Sequence, residues 1–205
     1  MCNRMTDITE DIKDGLNLAL NEAIIVGLDF DKEVRTVYLT FYPIAIQQDG
    51  TIPNDNRFLF AFRNVGRLAS SLTLVPETKA IKFDTNELSN KMSEFKNESL
   101  YGWEFIDNDE ELIFKQWKDN VSFDEIFSDS FEKQHTIDLF QEDKYSKKTI
   151  DIRIWFDKIE MFDSNLKPFA AQTFIDNGKR GWDKLYKDGW TTTEAELKGK
   201  LVLNE

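Results

Sequence analysis

The chain has 205 residues, of which 40% are apolar and 31% charged, and its formal net charge is −12. That length suits one domain of about 100–200 residues, and the composition is that of a folded chain rather than a disordered one. A single cysteine, Cys2, excludes an internal disulfide and a cysteine-based zinc site, and apolar runs such as "AIIVGL" and "PIAI" are far shorter than the ~20 residues that span a bilayer.

The first residues, "MCNRMTDITEDIKDG", contain no apolar stretch of the signal-peptide kind, so a cytoplasmic location and no membrane contact are expected. Within them Asp7 is placed to cap a short amphipathic helix, with Glu10 three residues on. Ile8, Ile12 and Leu16 recur every four residues, and Gly15 marks the expected exit. A β pattern follows. "AIIVGLDFD" and "RTVYLTFYPIAI" are rich in β-branched and aromatic residues, and the charged "DKE" between them suits a hairpin. The turn cluster "QDGTIPNDN" leads into "RFLFAFRNV", where Phe58, Phe60 and Phe62 alternate with Leu59, Ala61 and Arg63. "GRLASSLTLV" is a fourth strand, ended by Pro76.

Leu88, Met92 and Phe95 share one helical face of "NELSNKMSEF". Residues 115–132 carry mixed signals and are expected to be loop with a short helix. "QHTIDLFQED" and "KKTIDIRIWFDKIEMFD" return to strand. In the latter, Ile150, Ile152, Ile154 and Phe156 share a face, but Ile159 and Met161 have the opposite parity. Because side chains alternate with period two, the chain needs a bulge or tight turn near Asp157–Lys158. In the last segment Pro168 suits a first helical turn, and Ala171, Phe174, Ile175, Trp182 and Leu185 follow helical spacing. Gly178 and Gly181 each disfavour helix by roughly 1 kcal/mol, so one long helix and two short ones broken at Asn177–Gly178 both remain open. The expected architecture is one α+β domain over 1–205, with a mainly antiparallel β-sheet and a few helices, one near the C-terminus. Its compact body covers 15–190, with peripheral termini at 1–14 and 191–205.

Charge is distributed unevenly. Residues 84–143 hold 17 acidic residues and 5 lysines, whereas the rest of the chain balances 21 acids against 21 bases. A concentrated field steers association and selects partners, so the acids are expected to gather on one exposed flank that meets a basic protein. Phosphates are repelled by such a region, which argues against nucleic acid. Arg180, Lys184 and Lys187, joined by Lys179, form a basic stripe at helical spacing that suits a solvated helix end or pairs with the acidic region.

Catalytic signatures are missing. His135 is the sole histidine, there is no G-x-S-x-G, and neither phosphate-cradling glycine motif occurs. Asp107, Asp109 and Glu111 alternate like the start of a calcium loop, but Leu112 stands where glycine is needed and Lys118 where a bidentate acid is needed. No cofactor or metal is therefore expected. Asp29 and Asp31 alternate as a metal pair would, or flank a hairpin.

The stretch "SLYGWEFIDNDEELIF" supplies the candidate partner-binding residues Tyr101, Trp103, Glu104, Asp107, Asp109, Glu110 and Glu111. On a strand, Tyr101, Trp103 and Phe105 share one face. Either the rings are core and only the acids form an edge, or Tyr101 and Trp103 are an exposed anchor among them, since Trp and Tyr dominate interface hot spots. A core strand with an acidic edge is the reading taken.

"LNEAIIVGLDFDKEVRTVYLTF" followed by "FLFAFRNVGRLASSL" resembles the start of certain small bacterial α+β domains, some of them classed as immunity proteins of polymorphic toxin systems. The likeness rests on hydrophobic spacing with Asn21, Asp29 and Val65, and it carries over no site residues. It implies a non-enzymatic acidic inhibitor of a basic partner such as a nuclease-like toxin. The alternatives are a metal-dependent enzyme using Asp29 with Asp31 or Asp107 with Asp109, and a structural or self-associating protein. Oligomeric state is left unset by the sequence.

Overall fold

The computed structural model describes residues 8–77, 79–95, 98–107, 120–143 and 145–188, without the side chains of Tyr101 and Asp188. Among the described residues, three α-helices and two antiparallel sheets make up an α+β fold. Helix α1 (Glu10–Leu20) leads into β1 (Ile24–Asp31), β2 (Thr36–Tyr42), β3 (Phe58–Arg63) and β4 (Arg67–Leu74). Helix α2 (Leu88–Ser93) precedes β5 (Leu100–Phe105), β6 (Phe123–Ile126), β7 (His135–Asp143), β8 (Lys148–Phe156) and β9 (Lys158–Phe162), and α3 (Ala171–Asp188) follows. One sheet has the order β1-β2-β3-β9 and the other β5-β7-β8-β4-β6.

The two sheets are joined by a bent ribbon. β3 pairs with β9 from Leu59↔Phe162 to Arg63↔Lys158, and β4 pairs with β8 from Arg67↔Trp155 onward. Between the two ladders, Gly66 donates its N–H to the Trp155 carbonyl at 3.0 Å, and Asp157 donates to the Arg63 carbonyl at 3.1 Å. Both strands therefore pass from one sheet to the other at the same place. This is the physical origin of the parity change at Asp157. Ile150, Ile152, Ile154 and Phe156 are buried before it and Ile159 and Met161 after it, so the change of phase keeps apolar side chains inward across the bend.

The core lies between the sheets and under α1 and α3. Phe41, Phe58, Phe60 and Phe62 of one sheet meet Ile137, Leu139, Ile152, Ile154 and Phe156 of the other, and Leu16, Leu20, Phe174 and Ile175 close the remaining side. Phe174 packs edge-on to Phe58 and Phe60 at 5.0 and 5.1 Å between ring centres, the arrangement favoured by aromatic quadrupoles.

Helix α3 is continuous, which resolves the choice left open at Asn177–Gly178. A β-carbon on Gly178 would stand 2.5 Å from the Ala19 β-carbon, and one on Gly181 2.5 Å from the Ile44 carbonyl oxygen. The glycines let α3 approach α1 and the 43–46 segment, and the contact offsets their low helix propensity. Gly15 does not end α1. It lies within the helix, where Ile175 fills the space of its missing side chain. Three further expectations change. Residues 10–14 belong to α1 rather than to a peripheral terminus, and Thr9 stands at its N-cap, Asp7 being outside the described residues. Pro168 pairs with Phe162 in an isolated bridge before the helix begins. Within 115–132 the chain forms β6 and a 3-10 turn at Phe131–Lys133.

Candidate functional site

β5 separates the candidate residues by alternation. Trp103 points inward and is only 7% exposed. Its indole packs against Phe41 at 5.4 Å and against Phe60, Phe62 and Phe105 at 6.0–6.1 Å. Trp103 is core, so it cannot serve as an exposed anchor, and that large apolar contact stabilises the join of the two sheets. Glu104, on the opposite face, is exposed and stands across from Asp138. The Tyr101 side chain and residues Asp109, Glu110 and Glu111 lie outside the described set.

Asp107 follows the strand and is taken up internally. Its carboxylate receives Lys13 Nζ, His135 Nδ1 and the Thr136 N–H, each at 2.7 Å. Burial works to raise its pKa, but the His135, Lys13 and Thr136 hydrogen bonds outweigh it and hold the carboxyl down at about 2. For Lys13, burial works downward and is outweighed by Asp107 and Glu10, which raise it. This ion pair ties α1 to the ends of β5 and β7. The sole histidine is part of it.

Thirteen of the 17 acids in 84–143 are described. Glu94, Asp107, Asp124, Glu125 and Asp138 pair with Lys148, Lys13, Arg67, Lys32 and Arg153 respectively. The other eight make no ion pair among the described residues. Glu104, Asp138 and Glu142 lie on β5 and β7, whereas Asp124 and Glu125 lie on β6, at the opposite edge of the sheet. The expected gathering on one flank is thus not found for the described acids.

The outer face of the five-stranded sheet carries a second charged group. Arg153 is fully buried there, with its Nε 2.6 Å from Asp138 Oδ1 and Nη2 on the other carboxylate oxygen. Burial raises the Asp138 pKa against the pull of Arg153. Asp151, on the same face of β8, is pushed to about 7 by burial and by the Asp138 charge, with Arg153 opposing. Arg67 stacks on Trp155 at 4.7 Å and on Phe131 at 4.9 Å.

At its far edge this sheet ends in β6. The Gly66 carbonyl accepts the Phe127 N–H at 2.7 Å, the Ser70 carbonyl accepts the Ser122 N–H at 2.6 Å, and Leu72 N–H donates to Ser122 Oγ at 2.8 Å. Even-numbered residues of β4 therefore turn their peptide groups toward β6, where Phe123 and Glu125 answer them. By alternation, Asp124 and Ile126 turn theirs away from the sheet.

Asp29 and Asp31 do not converge on a metal position. Asp31 Oδ1 accepts the N–H groups of Glu33 and Val34 at 3.0 and 3.2 Å and shapes the hairpin turn, and Asp29 accepts from Phe30. No group of three or more metal-ligating side chains occurs among the described residues. Arg180 of the basic stripe is used inside the fold, donating to the Ile46 carbonyl at 3.1 Å and to Asn177. Two open polar cavities of about 340 and 360 Å³ adjoin α3 and share Gln47, Phe169 and Asn177. No described helix is long and apolar enough to cross a membrane. Compared with protein-family models, curated proteins and solved structures, the chain matches none.

Proposed function

We propose that this chain is a cytoplasmic, non-enzymatic, acidic protein-binding module that neutralises a basic partner, as an immunity protein neutralises a toxin. The observation that supports it is the surplus of uncompensated acid. Eight described carboxylates of 84–143, including Glu98, Glu104, Asp129, Glu132 and Glu142, have no cation in ion-pair contact among the described residues. Such groups remain hydrated in the free protein. They attract a cationic surface without the desolvation penalty that a buried charge carries.

The test is co-purification from the native cell at low ionic strength, followed by affinity measurement across a salt series. Exposed charges separated by more than about 8 Å are largely screened at physiological salt. The affinity is expected to fall at least about tenfold from low to high salt, chiefly through the association rate. An affinity flat across the series refutes the electrostatic reading.

A further inference from the structure

We infer that the outer edge of β6, unpaired among the described residues, is the docking site, and that its occupant is an extended, basic segment of the partner that joins the sheet as a sixth strand. The inference rests on the acidic-binder reading and places that binding on one edge. Asp124 and Ile126 each turn an N–H and a C=O outward, and no described residue bonds them. Strand addition uses such a row of peptide groups. Apolar surface lies beside it. Ile126 is 55% exposed, and so is Val34 in the neighbouring hairpin turn. That turn is held against β6 by Lys32 Nζ on Glu125 at 3.0 Å and by Phe30 on Phe127 with ring centres 5.1 Å apart.

Charge selects the occupant. The turn 31–35, residues 82–87, β6 itself and Arg67, tied together through Glu125 and Asp124, carry six carboxylates against four cations. Thr85, which donates to the Glu125 carboxylate, places the 82–87 segment there. A second copy of the chain would bring the same negative frame against itself, and like charges across an interface are unfavourable. A segment alternating lysine or arginine with β-branched residues fits both the open peptide groups and the field.

The test uses the full chain and an acetylated heptapeptide of alternating lysine and valine, followed by amide NMR. A control peptide of equal charge has its central three amides N-methylated, which blocks strand pairing and leaves the electrostatics unchanged. The parent peptide is expected to shift the Asp124 and Ile126 amides and slow their exchange, and to bind at least tenfold more tightly than the methylated one. Ile126→Pro removes the outward N–H while leaving the Phe123 and Glu125 bonds to β4. Ile126→Lys keeps the backbone and adds an opposing charge. Both are expected to weaken the parent peptide at least tenfold, and Ile126→Lys decides the matter if the proline variant does not fold. Equal affinity for the two peptides, or no binding by either at millimolar concentration, overturns the edge as the docking site. Salt-sensitive binding of both peptides alike leaves the acidic-binder reading intact, whereas salt-insensitive binding removes that reading as well.

Discussion

Replacing Asp151 with asparagine should flatten the dependence of stability on pH. Asp151 stands on the outer face of β8, between Phe140 of β7 and Ser71 of β4. Burial is the larger cause of its raised pKa, and the Asp138 carboxylate adds to it. Arg153 opposes the rise, but its fork is already engaged by Asp138. The carboxyl therefore titrates at about 7 in the folded chain against 3.8 ordinarily. The folded state keeps a proton that the unfolded state releases, so the stabilisation is full below 3.8 and is lost as pH rises through about 7. A gap of about three units at 1.36 kcal/mol each makes that loss about 4 kcal/mol. Asparagine cannot ionise, so Asp151→Asn should match the wild type near pH 4 and exceed it by up to about 4 kcal/mol at pH 8. At about 2–4 °C per kcal/mol for a chain of this size, the Tm difference approaches about 8–16 °C. Urea and thermal unfolding of both proteins from pH 4 to 8 measure it, and carboxyl NMR reads the side chain directly. Parallel stability curves, or an Asp151 carboxyl titrating near 4, refute the reasoning.

Asp107→Asn should act with the opposite sign. Asp107 is held at about 2 against an ordinary 3.8, so its stabilisation is present above 3.8 and lost as pH falls through about 2. Its removal should therefore lower stability by about 2 kcal/mol at pH 7 and by little at pH 2, as read by urea unfolding at the two pH values. Gly178→Ala should destabilise although alanine favours helix by about 1 kcal/mol. Its β-carbon would stand 2.5 Å from that of Ala19, and overpacking of this kind costs about 1–3 kcal/mol. A raised urea midpoint would show that the two helices separate easily.

Long strands were legible because pattern and burial agree. β1 to β4 and β7 to β9 each carry an alternation or a β-branched and aromatic run strong enough to mark a strand, and the parity change at Asp157 announced the bend between sheets. β6 did not show, because Phe123 to Ile126 is a single alternation of four residues within polar sequence. Helix α3 was ambiguous for another reason. Propensity weighs a glycine against water, whereas Gly178 is set against Ala19, a residue far away in sequence. Trp103 could be read as core because it alternates with Glu104. The fate of Asp107 could not be read, since Lys13 reaches it from the first helix.

The same distance effect alters what the segmental charge means. The stretch 84–143 has a surplus of 12 acids over its lysines, but Lys13, Lys32, Arg67, Lys148 and Arg153 all come to it from outside. The total of −12 is conserved, so each imported cation leaves an acid elsewhere without a counterpart, and the negative potential spreads beyond the segment. At β6 both strand acids, Asp124 and Glu125, are among those already paired. A basic segment arriving there competes with Arg67 and Lys32 and gains little from those two carboxylates. Its attraction comes from the surrounding uncompensated acids and governs how fast it arrives, while the outward peptide groups of Asp124 and Ile126 decide whether it stays. Salt should therefore act mainly on the association rate, and blocking the Ile126 amide mainly on the dissociation rate.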